Sequence, residues 1–211
     1  MSERVDAIVV GAGVMGAMTA WRLARRGRSV VLLEQFDLQH AHGSSHGQTR
    51  IFRVAYRDSR YTPLAAEALD LWRELESESG EHLLEQSGQL DHGEPAVIDG
   101  IAAGLRHQGW AAERLAPDEA GERWHGMVFD RAVVFSPDGG RVFADRSVAA
   151  AVDSAQRLGA IVHDRTSVER IEKTSTGVRV RTPRASWEAE VAVLCAGPWL
   201  PGLADGLVPL P

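Results

Sequence analysis

The stretch VDAIVVGAGVMGAMTAWRLARRGRSVVLLEQ, from Val5 to Gln35, restricts the fold more than any other part of the chain. VDAIVV is a short β-rich apolar run, the composition of a strand buried on both faces. A glycine turn follows at once. VMGAMTAWRLARRG then predicts a helix with Ala17, Ala20, Leu23 and Ala24 on its apolar face and Gly27 as its stop. SVVLLEQ predicts a second buried strand that ends at Glu34. Together these make a βαβ unit of about 30 residues, the context in which three spaced glycines become a specific signal.

Each glycine has a separate physical task in such a unit. Gly11 permits the tight turn out of the strand, Gly13 lets backbone approach a pyrophosphate, and Gly16 lets helix and strand pack closely. The helix N-terminus adds free N–H groups and the positive end of its dipole. Glu34 follows about 20 residues after the turn, where a carboxylate accepts hydrogen bonds from an adenosine ribose and disfavours a 2′-phosphate. A ligand-free tight turn is the bland alternative, and the three glycines, two buried strands and carboxylate weigh against it. The unit predicts a bound dinucleotide, FAD or NAD; the loop alone does not choose between them.

Composition bounds the remaining classes. With 211 residues, 44% hydrophobic and 25% charged, the chain is long enough for one large domain or two small ones and ordinary for a soluble globular protein. Its net charge of −6 and lack of a basic block argue against a nucleic-acid partner. Arginine carries nearly all the positive charge, Lys173 being the one lysine. Cys195 is the one cysteine, so no intrachain disulfide forms. MSERVD resembles neither a signal peptide nor a membrane span, so the expectation is a cytoplasmic protein with no membrane partner. His92, His107 and His125 lie far apart without ligand spacing, and no metal site is expected.

Further along, Thr62 and Pro63 predict the N-cap and first turn of a helix that ends at Gly80 and carries a stripe of Leu64, Ala68, Leu71 and Leu75, with Trp72 beside it as core. Between 81 and 141 the pattern changes to short strands broken by SG, HGEP and PDGG, with short helices. ADRSVAAAVDSAQRLGA predicts an amphipathic helix and AIVH a strand. TSVERIEKTSTGVRVRT predicts a hairpin turning at Ser175–Gly177, and AEVAVLCAGPW a buried strand running into a glycine turn at Gly197. Cys195 is expected to be a small buried residue near that turn.

HGSSHGQTRIFRVAY, from His42 to Tyr56, resembles the FAD-dependent amine oxidases typified by monomeric sarcosine oxidase and N-methyltryptophan oxidase. The likeness continues in order through YTPLAAEALDLWRELE, SGQLDHG, ERWHG and LCAGPW. It implies an α/β fold: a Rossmann-like, glutathione reductase-type FAD-binding domain over 1–80 and 142–211, with the first part of an inserted α+β substrate domain over 81–141. It also implies that the His42–Tyr56 loop runs under the isoalloxazine ring, with Ser45, Thr49 and Arg50 among the cofactor-binding positions. His46 and Arg50 match positions close to the flavin, and Arg53 matches the arginine that grips the substrate carboxylate. Val168 matches a backbone contact to the adenine, and Gly197 lies beside the cofactor. Two departures stand out: Ser45 replaces the first of a histidine pair, and Val54 replaces a histidine.

The resemblance implies an FAD-dependent oxidoreductase acting on the C–N bond of N-methyl amino acids, with oxygen as electron acceptor. The alternatives are a flavin-dependent amino-acid dehydrogenase, or a non-catalytic FAD-binding subunit that works with a complementary chain. Members of the family are roughly twice this length, and LVPLP matches the point where their chain leaves the FAD domain. The expectation is therefore a truncated or split form without the family's C-terminal half, inactive as an isolated chain.

Overall fold

The computed structural model describes residues 4–204. LVPLP lies outside the described residues. In chain order the elements are β1 (Arg4–Val10), α1 (Val14–Arg25), β2 (Val30–Leu33), β3 (Arg50–Phe52), α2 (Tyr61–Ser79), β4 (Leu84–Glu85) and β5 (Gln89–Gly93). They continue as α3 (Pro95–His107), β6 (Glu113–Leu115), α4 (Pro117–Arg123), β7 (Ala132–Ser136), β8 (Gly140–Val142) and α5 (Ala144–Arg157). β9 (Ile161–His163), β10 (Arg170–Thr174), β11 (Gly177–Arg181), β12 (Ser186–Leu194), a 3-10 turn (Gly197–Trp199) and α6 (Leu200–Ala204) complete the described chain.

Two compact units divide it, residues 4–48, 78–81 and 144–204 in the first and 49–77 and 82–143 in the second. The first is built on a six-stranded sheet in the order β10-β11-β12-β1-β2-β9. β12, β1, β2 and β9 run parallel, and the β10–β11 hairpin continues the sheet antiparallel to β12. Ala7–Val10 and all of β2 are buried without a break, because a central parallel strand is covered on both faces. α1 and α5 pack against each other in this unit. Val5, Ile8, Val10, Val31, Leu33, Val180, Trp187 and Ala189 form its apolar cluster.

α1 buries Gly16, Ala17, Ala20, Trp21 and Ala24, so Trp21 takes the core place expected of Leu23, which is half-buried. Its indole Nε1 donates to Glu78 Oε2 at 2.7 Å. The helix ends as expected: Gly27 has φ +74, and Arg28 N–H reaches back to Leu23 O at 3.1 Å.

The second unit holds two small sheets, β3-β8-β4 and β5-β7-β6, with α3 packed on β7. Residues 49–77 belong here rather than with the nucleotide-binding part. Arg50–Phe52 pairs antiparallel with β8, and Ala68, Leu69 and Trp72 of α2 pack on the cluster containing Phe52, Leu84, Ile98 and Leu105. α2 starts at Tyr61, so Thr62 is a buried first-turn residue and not the N-cap. Its inward face is Ala65 and Leu75 with half-buried Ala68 and Trp72, whereas Leu64 is 59% exposed. Of the expected stripe only Leu64 departs, because Ala65 rather than Leu64 lies on the face shared with Ala68 and Leu75.

Candidate functional site

In the first unit the chain leaves β1 for β2 and β9 on one side and returns to β12 on the other. The strand order therefore reverses at β1. Open parallel sheets bind ligands outside the carboxyl ends of the strands at such a point. A cavity of about 660 Å³ lies there, lined by residues at the ends of β1, β2 and β12 and by Ser45, Val168 and Gly197. Its size falls within the roughly 300–1,000 Å³ usual for cofactor sites.

The glycine turn closes the end of the sheet. Gly11 N–H donates to Leu33 O at 2.7 Å and Cys195 N–H to Val10 O at 2.8 Å, so the turn is bonded to both neighbouring strands. Gly11 has φ +99, and a β-carbon on it would meet Cys195 O at 2.5 Å. Gly13 caps α1 in an extended conformation. Ser45 Oγ accepts the Val14 N–H at 3.0 Å, which places a hydroxyl at the helix N-terminus. That hydroxyl keeps its own proton to offer to an anion.

Glu34 is 4% exposed and faces this cavity. Its Oε2 accepts Ala12 N–H at 2.7 Å and its Oε1 accepts Phe36 N–H at 3.0 Å. A carboxylate has about four acceptor sites, so the two backbone bonds leave capacity for ribose hydroxyls. The wall is otherwise mainly apolar, from Val10, Leu33, Val168, Leu194, Trp199 and Leu203. These residues fit the adenosine and pyrophosphate parts of FAD: a buried diol acceptor, an apolar wall and a helix N-terminus.

Gly11, Gly13, Glu34, Ser45, Val168 and Gly197 thus surround one cavity, with Gly16 buried behind it. His46 is not among that cavity's lining residues. It is exposed, lines a small cavity of about 40 Å³ with Asp145 and Val148, and holds Gly43 O through Nδ1 at 2.5 Å. Thr49, Arg50 and Arg53 stand in the second unit. Arg50 Nη1 donates to Thr49 O at 2.7 Å. Arg53 Nη2 donates to Asp91 Oδ1 at 2.7 Å, and its guanidinium lies 5.8 Å from the Tyr56 ring centre. Asp91 is itself held by Gln89 Nε2 at 2.6 Å, and Gln89 Oε1 accepts Val54 N–H at 3.0 Å.

Cys195 lines the cavity and is only partly buried; burial pushes its thiol above the usual range, opposed by a hydrogen bond with Thr19. Sequence reasoning passed over His40, Phe36 and Trp199, which cluster at the Glu34 side of the site. The two histidines of LQHAHG, a few residues after the ribose carboxylate, were the available signal.

The sheet order, the glycine turn and the buried carboxylate define a dinucleotide site, and the likeness to known proteins assigns FAD to it. The family model DAO, FAD dependent oxidoreductase, matches residues 6–211, and the chain belongs to this family. The chain is 38% identical over 200 residues to human peroxisomal sarcosine oxidase, covering 92% of this chain and 50% of that protein. It is 33% identical over 205 residues to monomeric sarcosine oxidase from Bacillus sp. (strain B-0618), covering 94% and 53%. Among solved structures, NikD, an unusual amino acid oxidase essential for nikkomycin biosynthesis, superposes with a TM-score of 0.83 at 30% identity, covering 98% of this chain and 55% of that one. The glycine oxidase from Geobacillus kaustophilus shares the fold, with a TM-score of 0.80 at 24% identity. The chain spans about half the length of the curated relatives it matches. Among the described residues, no helix is long and apolar enough to cross a membrane.

Proposed function

We propose that this chain forms the cofactor-holding part of an FAD-dependent oxidoreductase that acts on the C–N bond of N-methyl amino acids such as sarcosine. The observation that carries the cofactor part of the reading is Glu34, a buried carboxylate with two backbone donors, set against the glycine turn in the crevice where the strand order reverses, and the sarcosine oxidases among the relatives support the substrate class. Bound FAD supplies the two-electron acceptor that none of the side chains can provide. In this reading Glu34 holds the adenosine ribose, the N-terminus of α1 and the Ser45 hydroxyl hold the pyrophosphate, and Val168 and Gly197 border the adenine and the strand-end turn.

Arg53 is the proposed anchor of the substrate carboxylate. Its side chain is half-exposed, Asp91 accepts from Nη2, and a guanidinium has five donors in a fixed fork. A bidentate grip on a carboxylate needs that fork, which a lysine lacks. Arg50 and His46 are proposed to supply positive charge and a ring donor beside the cofactor.

Joined to the C-terminal half of a relative, by fusion or co-expression, the chain saturated with FAD should lose its flavin colour when mixed anaerobically with sarcosine or N-methyltryptophan and regain it on admission of oxygen, whereas the isolated chain should bind FAD without that reduction. Colour that returns only with an added electron acceptor favours the dehydrogenase. A non-catalytic module is the second reading, favoured by the ion pair that already balances the Arg53 charge with Asp91. It predicts bound FAD that no N-methyl amino acid reduces.

A further inference from the structure

We infer that His40 is a positioning residue for the dinucleotide site, donating through Nε2–H to Glu34 and thereby aiming the carboxylate at a ribose hydroxyl. The inference rests on the reading of Glu34 as the ribose anchor. His40 Nε2 lies 3.3 Å from Glu34 Oε1, and both side chains are largely buried. The ring's tautomer follows from its other nitrogen. His42 N–H donates to His40 Nδ1 at 3.1 Å, so Nδ1 is the acceptor and the neutral ring carries its proton on Nε2, facing the carboxylate.

The ring is also fixed in place. The Phe36 ring meets it edge-on at 4.8 Å and the His42 ring stacks at 5.5 Å, while Trp199 closes on Phe36 at 5.3 Å. The backbone turns sharply to bring it there. His40 N–H bonds to Asp37 O at 3.2 Å, and Gln39, between them, sits at φ +66. A left-handed conformation at a non-glycine residue is uncommon and costs free energy, so the neighbouring contacts must hold it.

With His40 Nε2 3.3 Å from Oε1, Phe36 N–H on Oε1 and Ala12 N–H on Oε2, Glu34 is held against rotation and keeps acceptor capacity on Oε2. His40 therefore acts on the ligand through Glu34. From His40 the chain runs directly through Gly43 to Ser45, all lining the same cavity, so the imidazole also sets the start of the segment that caps α1.

The probes are ADP and 2′-deoxy-ADP, titrated against the full 211-residue chain. A hydroxyl bonded to a charged acceptor should give the parent a preference for ADP of roughly tenfold. His40→Phe keeps the ring contacts but removes the donor, and should reduce the preference to about twofold or less. His40→Gln restores an N–H donor without the ring and should keep most of it. Because each variant is its own reference, a general loss of stability does not move the ratio. A full preference in His40→Phe, or an equal loss in both variants, would overturn the donor role. Glu34→Gln separates the two ideas. If it retains the preference, the ribose-anchor reading fails and the His40 inference with it; if it loses the preference while His40→Phe does not, the His40 inference alone fails.

Discussion

A β-carbon built on Gly16 would lie 1.7 Å from the carbonyl oxygen of Gly11. The obstacle is backbone on one side and the side chain of Cys195, at 3.3 Å, on the other, so no flexible chain end can yield. Gly16→Ala should therefore cost at least about 3 kcal/mol, the upper end for overpacking. Gly100→Ala is the matched control, because it lies within α3 and a β-carbon there meets nothing within 4 Å. That substitution should stabilise by about 0.5–1 kcal/mol through helix propensity alone. Urea midpoints of both variants check the pair, and an unchanged midpoint for Gly16→Ala would show that the turn can relax.

The same two residues explain how much could be read from the sequence. The βαβ unit and its glycines were legible because a close helix–strand approach has one chemical solution, and it leaves a fixed spacing. The hairpin over 170–181 and the strand running into Gly197 were legible for a similar reason, through alternating apolar residues and turn glycines. What was not legible depends on tertiary pairing. Arg50–Phe52 looked like loop because three residues carry no periodicity, and only pairing with β8 makes them a strand and draws 49–77 into the second unit. His40 was missed because its significance comes from a turn through Gln39, which no spacing rule encodes.

Glu34→Ala should weaken FAD binding roughly tenfold or more, the loss expected when a hydroxyl gives up a charged acceptor. Ala12 and Phe36 would lose their side-chain acceptor as well, so the turn should loosen on both sides. Titration of the parent and variant with FAD, followed by protein fluorescence, checks this. Equal dissociation constants would remove Glu34 from the site.

Glu76 organises the second unit and should make its stability pH-dependent. Its Oε1 accepts the N–H groups of Leu83 at 2.7 Å and Leu84 at 2.9 Å, and its Oε2 takes Arg73 Nη1 at 2.6 Å. Burial pushes the carboxyl up, but the Leu84 N–H, the Arg73 guanidinium and the Leu83 N–H outweigh it and hold the group below its ordinary value. A depressed folded value means the contribution is complete above the unfolded carboxylate value, about pH 4.3, and fades as pH falls through the folded one. Glu76→Gln should lower the urea midpoint at pH 7 by an amount corresponding to about 1–3 kcal/mol. The gap between variant and parent should narrow below about pH 4. A gap that stays constant down to pH 3 would mean that charge at Glu76 is not what holds the Leu83–Leu84 backbone.

Arg53 is held at the end of a relay: Val54 N–H donates to Gln89, Gln89 donates to Asp91, and Asp91 also accepts from the guanidinium. The relay begins on the backbone of the residue next to Arg53, so the side chain is braced against the chain segment that carries it. Removing Gln89 should free Asp91 and let Arg53 wander, without altering any group that would meet a substrate. In the proposed oxidoreductase, Gln89→Leu should raise the concentration of N-methyl amino acid needed for half-maximal flavin reduction. The limiting reduction rate should change less, since positioning a carboxylate grip acts mainly on binding. Arg53→Lys keeps the charge but loses the fork, and the same concentration should rise about tenfold or more. An amine of the same size without a carboxylate supplies the control, because neither substitution should affect its reduction kinetics. If that amine reduced the flavin of the parent as readily as the amino acid does, Arg53 would have no carboxylate to hold, and the relay would be a purely structural brace.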